Sequence, residues 1–400
     1  MRLAIVRQRY NPHGGAERFV ERAMDALQRR GVGVTVLARQ WQTGLPLPQD
    51  ASNAGRQTDV LRCDPFFLGS VWRDAGFARA ACRRLEQLPF DLVQSHERIA
   101  CCDVFRAGDG VHAQWLANRQ AAGGALLGLC VRLNPYHRYT LAAERRLFAS
   151  PRLRAVICNS NMVKKEIRRW FGTDDRRLHV IYNGVDLEAF HPRFKEGPGS
   201  ALRVRLGIAP DATVFLFVGS GFERKGVPRL LQAFAQGAPA DARLLLVGSD
   251  RHAARFARQA GAMGMSARVH FAGAQNDVRP WYGAADCFVL PTLYDPFPNA
   301  ALEAMASGLP LITTHQCGAA ELIEEGKAGF VCDALDVAGL GAALGRLDRA
   351  SAAIMGAHAR ERAMGFGVAD MAERLLGLYH SLLGASSPRP GPSPAPTPPG

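Results

Sequence analysis

Short apolar runs alternate with segments of helical spacing along this 400-residue chain, and the alternation starts twice. LAIVRQ (3–8), VGVTVLAR (32–39), DLVQSH (91–96), DVFRAG (103–108) and AVICNS (155–160) read as strands. TVFLFVGS (213–220), RLLLVGS (243–249), RVHFAG (268–273), CFVLPT (287–292) and LPLITT (309–314) form a second series. The stretches between them, such as AERFVERAMDALQRR (16–30) and NMVKKEIRRWF (161–171), repeat apolar residues at the helical period. Strands that are apolar at nearly every position belong to parallel sheets covered on both faces. A polar stretch, NGVDLEAFHPRFKEGPGS (183–200), separates the two series. The pattern predicts an α/β protein of two Rossmann-like, doubly wound domains facing a cleft, over 1–184 and 185–366. A last helical segment, 367–384, is expected to cross back to the first domain. Residues 385–400 are proline-rich and nearly free of apolar side chains, so disorder is expected there.

Charge is unevenly spread. Residues 1–190 hold 29 Lys and Arg against 18 Asp and Glu, whereas the remainder holds 20 against 18. Ten of the cations fall within 130–170, Arg132, Arg138, Arg145 and Arg146 among them, with only two acids. Such a patch suits an anionic partner. No nucleic-acid-binding module occurs, so an acidic membrane surface is the expected partner rather than nucleic acid. Leu133, Tyr136, Tyr139 and Phe148, interleaved with the cations, are expected to enter the interface. The longest apolar stretch, AAGGALLGLCV (121–131), is too short to span a bilayer. Met1 leads directly into the first strand, so no signal peptide is expected. Nine cysteines without C-x-x-C spacing read as reduced thiols of a cytoplasmic protein. Neither H-E-x-x-H nor D-x-D occurs, and no metal site is expected.

Three strand-to-helix loops hold unusual residues. Gly14 and Gly15 follow the first strand, where they let backbone approach a ligand closely. GSGFERKG (219–226) follows a strand of the second series and is a near miss of the dinucleotide fingerprint. An arginine stands where the third glycine is needed for close helix packing, which argues against a dehydrogenase. The paired cations Arg224 and Lys225 suit a diphosphate whose charge grows as it leaves. The third loop, YDPFPNAALEAMASGLP (294–310), places Asp295 ahead of a helix start and Glu303 inside that helix, with seven residues between.

This last motif, together with NGVD (183–186), the Arg224-Lys225-Gly226 triplet and YGAADCFVLPT (282–292), resembles the retaining GT-B glycosyltransferases of the group 1 family. The likeness covers nearly all of residues 1–384. RYNPHGGAERFVERAMDALQRRG, RLNPYHRYTLAAERRLF and FAGAQNDV are similar to the glucosyltransferases that act on the heptose region of lipopolysaccharide core. The resemblance implies a UDP-sugar donor bound by the C-terminal domain and no metal or other cofactor. It assigns Glu303 to the donor ribose, Asp295 to the donor sugar, and Arg224 and Lys225 to the diphosphate. The backbone of Asn299 and Ala300 at the helix start joins them there, with Asn183, Gly14 and Gly15 also on the donor side. Asp295 departs from the family, where glutamate is usual. Asp109, in FRAGDGVH, falls where relatives carry a catalytic histidine, and His112 is the second choice. The expected acceptor is lipopolysaccharide core or another lipid-linked saccharide, met by a peripheral protein on the inner face of the cytoplasmic membrane. A sugar-nucleotide epimerase of the same architecture is the alternative, which the basic acceptor-side patch disfavours.

Overall fold

In a computed structural model the structure describes residues 1–9, 15–40 and 59–384, with backbone alone for 15–21 and 124–132. The proline-rich tail and Gly14 lie outside the described residues. Thirteen strands among these residues form two separate sheets, parallel throughout.

The first sheet contains β1 (Arg2–Val6), β2 (Gly33–Ala38), β3 (Asp59–Arg62), β4 (Leu92–Ser95), β5 (Val104–Ala107), β6 (Ala155–Cys158) and β7 (Leu178–Val180). Their order is β3-β2-β1-β4-β5-β6-β7. The second contains β8 (Val214–Val218), β9 (Arg243–Val247), β10 (Val269–Gly273), β11 (Cys287–Leu290), β12 (Leu311–Thr314) and β13 (Gly329–Cys332), ordered β10-β9-β8-β11-β12-β13. The helices associated with the first sheet are α1 (Gly15–Gln28), α2 (Gly69–Glu86), α3 (His112–Leu133), α4 (Pro135–Phe148) and α5 (Asn161–Phe171). After them come α6 (Pro198–Arg205), α7 (Val227–Gly237), α8 (Ala253–Ala262), α9 (Arg279–Ala284), α10 (Asn299–Ala306), α11 (Val337–Gly345), α12 (Arg349–Ala363) and α13 (Val368–Gly384). None of the described helices is long and apolar enough to cross a membrane.

The two doubly wound domains expected from the alternation are present. Strands β3, β7 and β13 escaped it, and each is a short strand at the edge of its sheet. An edge strand with an exposed face lacks the continuous apolar run of its central neighbours; β3 has no buried residue at all.

Strand order reverses beside β1 and β4 in one sheet, and beside β8 and β11 in the other. Such switch points open a crevice at the carboxyl ends of the strands, where ligands bind in open α/β sheets. The loops that follow these strands carry Arg7, Glu97, Lys225 and Asp295.

The chain passes between the sheets twice, and the passes run side by side. Val185 N–H donates to the Phe366 carbonyl at 2.9 Å. A Cβ at Gly184 would lie 2.8 Å from Val368 Cα, so glycine is what lets the passes touch. Helix α13 then lies against the first sheet, where Met371, Leu375, Leu378 and Tyr379 pack with Leu3, Ile5, Val36 and Ile157.

Cys82 of α2 and Cys101 are joined in a disulfide. This corrects the expectation of reduced thiols at these two positions. The fold brings the residues together across 19 positions of sequence that carry no pairing motif. Cys63, Cys102, Cys158, Cys287 and Cys317 are free and buried, as expected of core thiols.

Candidate active site

The loop from the end of β11 to α10 is fastened by backbone bonds. Leu293 N–H donates to Arg224 O at 3.0 Å, and Asp295 N–H to Gln316 O at 3.0 Å. The Asp295 carbonyl receives Gly318 N–H at 2.9 Å. Asp295 is thereby held beneath the β8 loop, with Lys225 Nζ 3.3 Å and an Arg224 guanidinium nitrogen 3.9 Å from its carboxylate. Arg224 also donates to Tyr294 O at 2.7 Å. Two glycines make this approach possible. A Cβ at Gly226, where φ is +81°, would stand 1.9 Å from Pro291 O, and one at Gly219 would stand 2.9 Å from Lys225 Nζ. The structure thus brings Arg224, Lys225 and Asp295 to one point.

Helix α10 begins at Asn299, with Pro298 preceding it and no side-chain cap. One turn on, Glu303 is buried and receives the Tyr282 hydroxyl at 3.2 Å. A further partner comes from the first domain: an Arg22 guanidinium nitrogen of α1 lies 3.6 Å from Oε1. The Tyr282 hydroxyl also reaches the Ala300 carbonyl at 3.1 Å. Asn183 bridges the domains, donating to Asn299 Oδ1 at 2.6 Å and to Phe297 O at 3.2 Å. Behind it Arg106 of β5 donates to Asn183 Oδ1. Burial pulls the Arg106 guanidinium down to about 9, against the opposing pull of Asp109.

On the first domain Asp109 sits in a turn completed by Gly110 at φ +71°. Its side chain is half exposed, 3.5 Å from the Arg7 guanidinium. Enclosure by the cleft opposes ionisation, but Arg7, Arg98 and Arg106 outweigh it and hold the carboxyl below its ordinary value. The turn is secured from both domains. Val111 N–H donates to the Tyr294 hydroxyl at 2.8 Å, and His112 N–H to Glu144 Oε1 at 2.7 Å. The His112 ring packs against Trp115 and pairs with His137 Nδ1 at 3.2 Å. Burial, followed by Arg98 and His137, pushes its pKa down to about 3, so it is neutral near pH 7. Beside Asp109 opens a cavity of about 310 Å³, lined in part by Arg7, Arg73, Glu97, Arg98, Tyr136 and Tyr139.

Helix α4 divides the basic patch. Arg138, Arg145 and Arg146 are exposed, as a docking face requires; the Arg132 side chain lies outside the described residues. The aromatics expected to enter a membrane interface along with them do otherwise. Phe148 is buried and stacks on Phe171 with ring centres 4.2 Å apart, while Tyr136 and Tyr139 line the cavity. Helical position explains this: residues 136, 139, 140 and 143 share the cavity-facing stripe. Leu133 remains exposed. Gly15 is the first residue of α1. Among the described residues no group of three or more His, Cys, Asp or Glu could hold a metal ion.

Arg22, Arg106, Tyr294 and Glu166, whose carboxylate accepts the Tyr294 hydroxyl at 2.7 Å, are residues that the sequence does not single out. Each acts on a partner far away along the chain, at separations that no local motif records.

Comparison with known proteins follows the same lines. A family described as Glycosyltransferase Family 4 matches residues 13–189, and one described as Glycosyl transferases group 1 matches 212–349. The lipopolysaccharide glucosyltransferase WaaG of Escherichia coli K12 is 25% identical over 335 residues, covering 83% of this chain and 85% of its own. A D-inositol 3-phosphate glycosyltransferase of Nocardia farcinica is 28% identical, over 92% of this chain and 85% of its own. The crystal structure of WaaG, described as a glycosyltransferase involved in lipopolysaccharide biosynthesis, superposes with a TM-score of 0.78 at 24% identity, covering 94% of this chain and 99% of that one. That of Anabaena HepE in complex with UDP-glucose gives 0.71 at 21%, covering 95% and 100%. These two likenesses establish the GT-B arrangement of the fold. With the two family matches spanning both sheets and both halves of the cleft, the chain belongs to the group 1 glycosyltransferases of family 4.

Proposed function

We propose that this glycosyltransferase moves a hexose, glucose, from a UDP-sugar to lipopolysaccharide core or a similar lipid-linked saccharide, with retention at the anomeric carbon. The observation that carries the reading is the convergence of Arg224 and Lys225 on Asp295 at the start of α10. Likeness to WaaG and to a UDP-glucose-bound neighbour supports the donor and acceptor classes.

In this reading the helix start of α10, through the backbone of Asn299 and Ala300, and the two cations receive the diphosphate. Breaking the anomeric bond leaves a further negative charge on that diphosphate, and fixed cations stabilise the transition state more than the ground state. This is the work a divalent metal does elsewhere, so no metal is needed. Glu303 accepts ribose hydroxyls and Asp295 lies toward the donor sugar. The acceptor enters the cavity beside Asp109. A carboxyl held below its ordinary value is a weak base at neutral pH. Asp109 therefore orients the acceptor hydroxyl and offsets positive charge developing on the sugar, while the hydroxyl proton passes to the diphosphate oxygen released as the anomeric bond breaks. Arg138, Arg145 and Arg146 dock the protein on an anionic membrane, where a lipid-linked acceptor resides. The epimerase alternative gains no support from a match to two transferase families.

The test is to supply the full chain with labelled UDP-, GDP- and ADP-hexoses and truncated core acceptors, reading the anomeric configuration of the product by NMR. Transfer from UDP-glucose with an α-linked product is expected. Transfer from a purine nucleotide sugar alone, or an inverted product, defeats the reading.

A further inference from the structure

Tyr294 stands next to Asp295 on the donor loop, yet its hydroxyl is spent entirely on the other domain. It accepts Val111 N–H at 2.8 Å and donates to Glu166 Oε2 of α5 at 2.7 Å. The residue is buried, and the Asp109 turn is moulded onto it. A Cβ at Gly110 would lie 2.2 Å from the Tyr294 hydroxyl and 2.7 Å from Pro296 Cγ. Neighbouring bonds reinforce the seam: Ser160 Oγ donates to Pro296 O at 2.9 Å, and Asn118 Nδ2 to Leu293 O at 3.1 Å. Packing alone would be satisfied by phenylalanine. A hydroxyl buried between two polar partners, 183 and 128 residues away, does something a ring cannot.

We infer that Tyr294 is a positioning residue for sugar transfer: its hydroxyl fixes the Asp109–Val111 turn against the donor loop, so the acceptor side is assembled only when the two domains are closed. The inference rests on the proposed transfer reaction. The groups assigned to the nucleotide diphosphate, Arg224, Lys225 and the start of α10, all belong to the second domain. Capture of the diphosphate by these groups therefore does not require the Tyr294 hydroxyl. Asp109 belongs to the first domain, and its placement over the donor sugar has to cross the cleft. A displacement of roughly 1 Å at a reacting centre lowers rates on the order of 10²-fold.

The test compares Tyr294→Phe with the unaltered full chain. The expected result is a kcat lowered about 10- to 100-fold while UDP affinity by calorimetry changes less than about twofold, together with faster hydrogen exchange at the Val111 amide. Glu166→Gln, which keeps an acceptor for the hydroxyl, should retain most of the rate; Glu166→Ala should lose it. Unchanged kcat in Tyr294→Phe overturns the inference, as does an equal fall in kcat and UDP affinity, which would make the residue part of the donor site. The exchange measurement needs no substrate. If the donor or acceptor has been misassigned, faster exchange at Val111 in Tyr294→Phe still supports the placement, and unchanged exchange still overturns it.

Discussion

Lys225 Nζ stands 3.3 Å from the Asp295 carboxylate, with the two side chains 12% and 11% exposed. The cation proposed to meet the diphosphate is thus also the partner of a buried acid, and its removal has two separable effects. Lys225→Ala is expected to destabilise the fold by about 3 kcal/mol, because it leaves a buried carboxylate without its nearest cation. Asp295→Asn added to it should recover most of that loss, since the stranded charge is gone. Transfer should fall on the order of 10²-fold in both. Chemical denaturation beside initial rates separates the two effects; wild-type stability in Lys225→Ala would show the pair to be unimportant for folding.

Glu303 faces a different partner, Arg22 of the first domain. Glu303→Ala should weaken UDP binding roughly 10- to 100-fold, as expected when charge-assisted hydrogen bonds to ribose are lost. Asp295→Asn should weaken it less, because that residue is assigned to the sugar. Calorimetry with UDP alone reads both variants, and unchanged affinity in Glu303→Ala would remove the ribose assignment.

Full transfer activity is expected to survive excess EDTA, with Arg224 and Lys225 supplying the positive charge. Loss of activity that Mn²⁺ restores would contradict this.

Burial raises the Glu166 carboxyl from 4.5 to about 7, with the Tyr294 hydrogen bond pulling the other way. A carboxyl whose folded value lies above its unfolded one stabilises the fold fully below the unfolded value, and that contribution is lost as pH rises through the folded one. Thermal stability should therefore fall between about pH 4.5 and pH 8 through this group, and Glu166→Gln should flatten that window. An identical pH profile in the variant would show that Glu166 titrates normally.

The protein should sediment with vesicles containing anionic lipid, release at a few tenths molar salt and ignore neutral vesicles, since each engaged surface cation contributes about 1 kcal/mol. Changing Arg138, Arg145 and Arg146 to glutamate should abolish sedimentation and spare UDP binding. With Phe148 in the core and Tyr136 and Tyr139 at the cavity, the expected attachment rests on charge more than on inserted aromatics, so its salt sensitivity should be steep.

The legible part of this molecule is what local spacing encodes. Central strands such as β8 and β11 are apolar throughout because both faces are covered, and the Asp295–Glu303 spacing is a motif within one loop and helix. The basic patch was visible as charge, but the side of α4 on which each aromatic lies depends on which neighbours pack there. Cys82 and Cys101 carry no motif because a single disulfide needs only two residues whom the fold brings near. Arg106, Asn183 and Asn299 form one chain of contacts from three distant segments, and only Asn183 and Asn299 lie near recognisable motifs.

Because α13 seals the underside of the first sheet, the first domain is built from two stretches of sequence that lie on either side of the second. Tyr379 donates to Gln94 at 2.6 Å across 285 residues of sequence, and Leu375 and Leu378 complete a core begun by Leu3 and Ile5. A fragment ending near residue 184 would expose that face to water. Exchange of the first domain between relatives by cutting once near residue 184 would therefore yield mismatched chimeras. A workable graft has two junctions, carrying the second domain as an insert within the first.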